Sequence, residues 1–332
     1  MEEKYIDLLE QYDLNIYRTS RVKGACLLET GQGLKLFGSC RMSEGRAEFE
    51  QKVKSALKER GFANTDCYVR TREGELLVQG PYGETFLMRD WFDGEECNVR
   101  KPEQVLVAVK TLARLHLCME QVELTEAEKG FCIQPKVTEQ FAKRNKELRR
   151  VRTYIRDKKQ KNSFESIYLS QFPKLYEQAE QAAASLDAAR YQEYYDRVVA
   201  EGRMFHGNYT HHSVLMLSED ETAVISFEKA GLGIQIQDFY LFFRKLMEKC
   251  DWDVSFGYDM INAYDSVRSI PEEEQELLIV LLQYPEKFWK IANHYYNNRK
   301  TWIPQKNMQK LILTMEQAER KQECLKKLFP DA

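Results

Sequence analysis

Apolar residues recur at three-to-four spacing in several long segments, which is typical of amphipathic helices. Residues 43–60 combine Ser43 as an N-cap, acidic residues near the start and Gly61 as a stop signal. Residues 102–119 begin with Pro102 in the first turn and carry a broad apolar stripe. Both segments are therefore predicted to be helices. Further helices are expected at residues 1–18 (ending in a turn), within 140–162, through 163–195, from Asp238, from Pro271, and over 304–329.

Short apolar runs separated by glycine-containing or polar turns predict β-strands. Residues 22–30 and 34–37 flank the turn Gly31-Gln32-Gly33, which indicates a β-hairpin. A second hairpin is expected from residues 214–217 and 222–225, which flank an acidic turn. Its open end adjoins a polar loop, and we place the candidate site there. Three more strands are expected at residues 67–71, 75–79 and 84–91.

Length and composition describe an ordinary globular protein and exclude several classes. The 332 residues suffice for two lobes, and 43% of them are hydrophobic and 30% charged. A net charge of −3 gives no electrostatic reason to expect a nucleic-acid partner. The acidic N-terminus does not resemble a secretory signal peptide. No apolar run is long enough for a membrane span, so no membrane association is expected.

Three sequence motifs in this chain resemble motifs of a known superfamily. His206-Gly207-Asn208-Tyr209, a hairpin and then Phe227-Glu228-Lys229-Ala230 resemble the catalytic segment of the aminoglycoside phosphotransferase and choline kinase group. Leu112-Ala113-Arg114-Leu115-His116 is similar to a Leu-Ala-x-Leu-His phrase of that group. The aromatic-rich motifs at residues 284–289 and 295–302 resemble those of the CotS-type spore coat branch of this superfamily. The resemblance spans nearly the whole chain.

The resemblance implies an α+β fold of the two-lobed, protein-kinase-like class. The N-terminal lobe, with an antiparallel sheet and one helix, is expected at residues 1–91. The C-terminal lobe is expected to be mostly helical, to cover residues 92–332, and to contain the catalytic-loop-like hairpin at residues 204–228.

The resemblance also marks positions where this chain departs from a working kinase. Asn208 stands where the catalytic Asp is expected, Ser213 where a metal-binding Asn is expected, and Ser226 where the principal metal-binding Asp is expected. Among these motif positions only Glu228 keeps a carboxylate. Asp238 is expected to fix the catalytic loop, and His206 to have a structural role. His116 is expected to be a packed structural histidine.

In the N-terminal lobe the resemblance implies a nucleotide site. Lys35 occupies the position of the lysine that binds the nucleotide phosphates in kinase-like folds. Glu48 or Glu50 is expected to form an ion pair with it. Asp90 and Trp91 lie in the connecting segment where backbone groups meet the adenine. The alternative for Lys35 is an ordinary strand lysine, and for the two glutamates a solvated helix face.

These departures predict a catalytically inactive, kinase-fold component of the spore coat, with at most weak binding of ATP and Mg²⁺. Its expected partners are other spore coat or sporulation proteins, and its expected location is the mother-cell cytoplasm and then the coat. The alternative is an active ATP-dependent phosphotransferase acting on a small-molecule alcohol, with Glu228 in an atypical metal site. A third hypothesis is a scaffold that senses nucleotide without turnover.

Overall fold

The computed structural model describes residues 6–22, 24–120, 122–132, 134–297 and 304–330. The start of the predicted N-terminal helix and residues 298–302 of the aromatic C-terminal phrase lie outside these residues.

A six-stranded antiparallel sheet forms the N-terminal part of the chain. Its strands are β1 (Ile16–Val22), β2 (Ala25–Thr30), β3 (Gly33–Cys40), β4 (Tyr68–Val69), β5 (Leu77–Gln79) and β6 (Thr85–Asp90). The order is β1-β2-β3-β6-β4, with β5 also paired to β6. The predicted hairpin of β2 and β3 is confirmed, and Thr30 opposes Gly33 at its turn.

A helix followed by a turn is predicted over residues 1–18, but the structure places the start of a strand at the end of this range. The described part of that helix, α1, covers only Ile6–Leu9, and the chain is extended from Ile16 onwards. Strand β1 pairs with β2 along its length, from Ile16 opposite Thr30 to Val22 opposite Ala25. The pairing supplies hydrogen-bond partners for the backbone N–H and C=O groups of β1. The residues of β1 carry no apolar stripe at helical spacing that would favour a helix.

Helix α2 (Glu44–Glu59) forms within the range predicted for it. The hydroxyl of Ser43 accepts a hydrogen bond from the backbone N–H of Arg46 at 3.3 Å, so Ser43 is the N-cap. Phe49, Val53 and Leu57 are buried on one face. Gly61, which follows the helix, has φ 86°, a left-handed conformation that glycine adopts without strain.

Two smaller sheets hold the segment around the candidate site. Strands β9 (Val214–Met216) and β10 (Thr222–Val224) form the second predicted hairpin, and β7 (Glu95–Glu96) pairs with β9. Strands β8 (Met204–Phe205) and β11 (Gly231–Leu232) pair on either side of this hairpin in the sequence. The loops of the site are thus anchored at both ends by backbone hydrogen bonds.

The remaining elements are helices. They are α3 (Pro102–Cys118), α4 (Glu126–Lys129), α5 (Val137–Arg156), α6 (Ser163–Ser185), α7 (Ala188–Ala200), α8 (Ile236–Met247), α9 (Val254–Asp265), α10 (Glu272–Gln283), α11 (Glu286–Asn297), α12 (Pro304–Glu316) and α13 (Ala318–Leu328). The single helix predicted over residues 304–329 is in fact α12 and α13. No proline or glycine marks the break at Gln317, whose side-chain amide donates to the backbone oxygen of Glu248 at 3.1 Å.

The chain forms two compact units. The first comprises Met1–Ile133, Val199–Asp238 and Ala263–Arg268, and the second comprises Gln134–Val198, Phe239–Asn262 and Ser269–Ala332. The first unit therefore contains both the sheet and the hairpin of the candidate site. The predicted lobes, residues 1–91 and 92–332, are defined differently from these compact units, and the division into lobes stays a prediction.

Candidate kinase-like site

The loop that begins at His206 is held by a buried carboxylate. The side chain of Asp238 accepts hydrogen bonds from the backbone N–H groups of His206 at 2.5 Å and Gly207 at 2.8 Å. His116 contacts the same carboxylate at 3.3 Å through Nε2 and meets the hydroxyl of Tyr264 at 2.6 Å through Nδ1. One buried carboxylate thus accepts from both backbone N–H groups at the start of the loop, and the structural role that the resemblance implies for Asp238 stays a prediction.

Gly207 and His206 fix the shape of this loop. Gly207 has φ 77°, and a Cβ placed there would lie 2.1 Å from the backbone oxygen of Lys229, so no larger residue fits. Burial lowers the pKa of His206, although the charge of Asp238 acts in the opposite direction. The ring is neutral: Nδ1 accepts from the backbone N–H of Asn208 at 3.2 Å, and Nε2 donates to the backbone oxygen of Ile225 at 3.0 Å.

Asn208 and Ser213 occupy the loop between this turn and the hairpin. Ser213 is buried, and its hydroxyl accepts from the backbone N–H of Thr210 at 2.8 Å. The same hydroxyl lies 2.8 Å from the backbone oxygen of Thr210, to which it donates. Ser213 therefore closes a tight turn. Asn208 is half-buried.

Ser226 and Glu228 follow the hairpin. Ser226 has φ 73°, and its backbone N–H donates to the carboxylate of Asp66 at 3.3 Å. The Oε1 atom of Glu228 lies 3.4 Å from Nη1 of Arg89. The carboxylate of Glu228, which the resemblance predicts at a metal-binding position, thus has an arginine as its partner.

Arg89 links Glu228 to a buried ion pair that the sequence analysis did not identify. Its Nη1 atom lies 3.0 Å from Oδ2 of Asp66, whose Oδ1 atom lies 2.9 Å from Nζ of Lys54. Lys54 and Asp66 are fully buried. Burial alone raises the pKa of Asp66, but the charges of Lys54 and Arg89 outweigh it, so the pKa lies below its usual value.

A sequence signal for this cluster does exist on helix α2. Glu50 and Lys54 are four residues apart and lie beside the buried apolar positions Phe49, Val53 and Leu57. A polar pair at that spacing on an apolar face indicates buried charges that need partners. Nothing in the local sequence, however, identifies those partners as Asp66 and Arg89.

The predicted pairing of Lys35 with Glu48 or Glu50 is wrong. Nζ of Lys35 contacts Oδ1 of Asp90 at 2.7 Å and the backbone oxygen of Gln32 at 2.8 Å. The reason is the register of the sheet, in which Lys35 and Asp90 are direct neighbours on β3 and β6.

The two glutamates have other partners. Glu48 forms a bidentate ion pair with Arg70, whose Nη1 and Nη2 atoms each lie 2.7 Å from a carboxylate oxygen of Glu48. Glu50 is buried and accepts from Nε of Arg46 at 2.7 Å and from the hydroxyl of Tyr68 at 2.5 Å. Both carboxylates are therefore engaged within the N-terminal part of the chain.

The segment that includes Trp91 is also fixed by its neighbours. The backbone N–H of Trp91 donates to the backbone oxygen of Leu34 at 3.0 Å. The half-buried ring packs on Leu215, Ala223 and Ile225 of the second hairpin. The roles of Asp90 and Trp91 at an adenine site stay predictions.

The segment 226–230 is anchored by Arg46. Its Nη2 atom donates to the backbone oxygens of Phe227 at 3.2 Å and Ala230 at 3.1 Å. The ring of Phe227 is fully buried, 5.6 Å from Nζ of Lys54. Both contacts hold the segment that carries Ser226 and Glu228 against α2.

Within the described ranges, no group of three or more His, Cys, Asp or Glu side chains is arranged to hold a metal ion. Among the helices of those ranges, none combines the length and hydropathy required to cross a bilayer.

Solved structures share this fold. An aminoglycoside phosphotransferase from Alicyclobacillus acidocaldarius superposes with a TM-score of 0.84 at 21% identity, covering 97% of this chain and 94% of its own. A spectinomycin phosphotransferase in complex with ADP and spectinomycin has a TM-score of 0.58 at 12% identity, covering 95% and 98%. An amicoumacin kinase in complex with AMP-PNP and Ca²⁺ has a TM-score of 0.56 at 12% identity, covering 98% and 94%. The predicted α+β, two-lobed, kinase-like fold class is confirmed.

Among curated proteins, the chain is similar to spore coat protein S of Bacillus subtilis. The two sequences are 22% identical over 303 residues, which cover 91% of this chain and 85% of that protein. The match confirms the resemblance to the CotS-type proteins that the motifs predict. No protein-family model matches the chain.

Proposed function

We propose that this protein is a kinase-fold component of the spore coat or of a sporulation assembly, and that it does not transfer phosphate. The pairing of Glu228 with Arg89 carries the second part of the proposal. The similarity to spore coat protein S over most of both chains supports the first part.

The chemistry of phosphoryl transfer explains why this pairing matters. Catalysis needs a group that orients or deprotonates the acceptor hydroxyl and side chains that hold magnesium on the phosphates. Asn208 can orient a hydroxyl but cannot take its proton, and general base catalysis is typically worth about 10²–10⁴ in rate. Loss of the base alone would leave a slow enzyme.

The metal site is the greater difficulty. Magnesium in such sites is held by one or two carboxylates together with phosphate oxygens and water. The guanidinium of Arg89 already neutralises Glu228 and would repel a divalent cation. Ser213 uses its hydroxyl within its own turn. The residues present therefore do not fit a catalytic Mg²⁺ ion.

In this proposal the protein is made in the mother-cell cytoplasm and is then incorporated into the coat, where it contacts other coat or sporulation proteins. A fluorescent fusion in sporulating cells tests the location. We expect the signal to move from the mother-cell cytoplasm to a ring around the forespore. A signal that stays diffuse throughout sporulation contradicts the assignment to the coat.

Titration of the purified full chain with ATP, with and without Mg²⁺, tests the absence of chemistry. We expect Mg²⁺ to add nothing to ATP affinity, and no transfer of the γ-phosphate to the chain or to small alcohols. Transfer that is lost in Asn208→Ala overturns the proposal, because a contaminating kinase is insensitive to that substitution. Tight ATP binding without transfer would instead support the nucleotide-sensing scaffold. Saturation at about 100 times Kd would add roughly 2.7 kcal/mol to the stability.

A further inference from the structure

The second unit contains a cavity of about 430 Å³. Its walls come from α6, α8, the junction of α10 and α11, α12 and α13, all within that unit. None of the residues placed at the kinase-like site lines it. Small-molecule sites have volumes of about 300–1,000 Å³, so the cavity has the size of a ligand pocket.

Cations outnumber carboxylates in the lining, which contains Arg244, Lys287, Lys321 and Lys326 against Glu248 and Glu286. Glu248 is shared by two of these cations: it forms a short contact with Nη1 of Arg244 and accepts from Nζ of Lys287 at 2.8 Å. Glu286 is also shared, by Arg144 at 2.6 Å and Lys290 at 3.1 Å. Both acidic groups of the cavity are therefore already neutralised.

Lys321 is left with no acidic partner. Its Nζ atom lies 3.4 Å from the backbone oxygen of Tyr284 and 5.5 Å from the centre of the Trp252 ring. No carboxylate of the described chain lies within ion-pairing distance of it. Burial and the charge of Arg244 lower the pKa of Lys321 to about 8, so the amine is still largely charged at neutral pH.

Arg244 supplies a donor that lacks an acceptor. Its side chain is 3% exposed, and its Nε atom is buried without a hydrogen-bond partner among the described residues. A buried donor without an acceptor is destabilising, and an anion in the cavity would provide the acceptor.

Apolar side chains form a large part of the remaining lining, beside five glutamines and Thr314. The apolar side chains include Leu175, Trp252, Leu313, Leu325 and Phe329. A pocket with an apolar wall and a few convergent polar groups is typical of a site for an organic molecule rather than for a bare inorganic ion.

We propose that this cavity binds a small organic anion with an apolar body and a single carboxylate or phosphate head. The head lies beside Lys321 and Nε of Arg244, and the body lies against the apolar side chains of α12 and α13. The site is independent of the proposed function, since none of its residues belongs to the kinase-like site.

Calorimetric titration of the purified full chain with 2-naphthoate, 2-naphthyl phosphate, 2-naphthol and inorganic phosphate tests the proposal. We expect at least one of the two naphthyl anions to bind at least about tenfold more tightly than 2-naphthol, because a hydrogen bond to a charged group contributes that much. We also expect it to bind more tightly than inorganic phosphate, which has no apolar body. The preferred anion identifies the head group.

The variant Lys321→Met removes the charge and keeps most of the side-chain volume. We expect it to weaken binding of the preferred anion about tenfold or more and to leave 2-naphthol unchanged. The matched control Lys327→Met removes an exposed lysine of the same helix that does not line the cavity, and it should have no effect. Equal binding of naphthol and the anions, binding of none of them at millimolar concentration, or equal effects of the two substitutions overturns the proposal.

Discussion

The guanidinium of Arg89 lies 3.4 Å from the carboxylate of Glu228, two residues that are 139 positions apart in the sequence. The same Nη1 atom lies 3.0 Å from Asp66. The carboxylate that would be left to hold a metal is thus part of a charge cluster that extends to the buried Lys54.

Arg89→Met is expected to destabilise the protein by about 2–4 kcal/mol, because it leaves the buried carboxylate of Asp66 with one cation instead of two. Denaturation by urea measures the change. The matched control is Arg70→Met, which breaks the exposed pair with Glu48 and should cost no more than about 1 kcal/mol. Equal costs for the two variants would mean that the cluster contributes nothing beyond a surface pair.

The pH dependence of stability should reveal Asp66. Its pKa in the folded protein lies below the value of about 3.9 expected for an unfolded chain, so its contribution to stability is present above about pH 4. The contribution is lost as the pH falls through the folded pKa, because the unfolded chain takes up the proton first. The destabilisation caused by Asp66→Asn should therefore be large at pH 7 and should shrink below about pH 4. A cost that does not change with pH would contradict the assignment.

Restoring the missing kinase residues tests whether Arg89 controls the metal position. With Asn208→Asp, Ser213→Asn and Ser226→Asp combined, we expect Mg²⁺-dependent ATP affinity to change by less than about twofold, since Glu228 remains paired. Adding Arg89→Met should raise that affinity at least about tenfold relative to the triple variant. Calorimetry with and without Mg²⁺ measures both steps, and tight binding by the triple variant alone would show that the arginine is no obstacle.

Asp238→Ala is expected to cost about 2–4 kcal/mol, because the backbone N–H groups of the buried His206 and the partly buried Gly207 lose their acceptor. Asp238→Asn keeps one oxygen acceptor and should cost less. Hydrogen exchange at the amides of His206 and Gly207 should accelerate in the alanine variant. Asp259→Ala, at an exposed position of α9, is the control and should lie within about 0.5 kcal/mol of the wild type.

Lys321→Met is expected to stabilise the protein at pH 7, because it removes a largely buried amine that has no carboxylate partner. The pKa of Lys321 is about 8 when folded, below the value of about 10.4 for an unfolded chain, so the wild type gains stability as the pH rises between these values. The advantage of the variant in Tm should therefore shrink from pH 7 to pH 10. The charged groups that act on this amine are Arg244, Glu248 and Glu286. An advantage that is constant with pH would contradict the lowered pKa.

The sequence by itself determined the elements with strong local signals. The Ser43 cap and the apolar spacing after it fix α2, and the glycine turn at residues 31–33 fixes the first hairpin. The resemblance recognised in the sequence also predicts that Asn208, Ser213 and Ser226 stand where the kinase group has Asp, Asn and Asp. Local periodicity is set by neighbouring residues, so it can be recognised without the fold.

Only the tertiary structure decided which charges meet. Lys35 contacts Asp90 rather than a glutamate of α2 because the strand register makes them neighbours. Glu228 contacts Arg89, and Asp66 accepts a hydrogen bond from the backbone N–H of Ser226, across 139 and 160 positions of the chain. Such partners depend on sheet register and on the packing of distant segments, and short-range spacing in the sequence does not encode either of these.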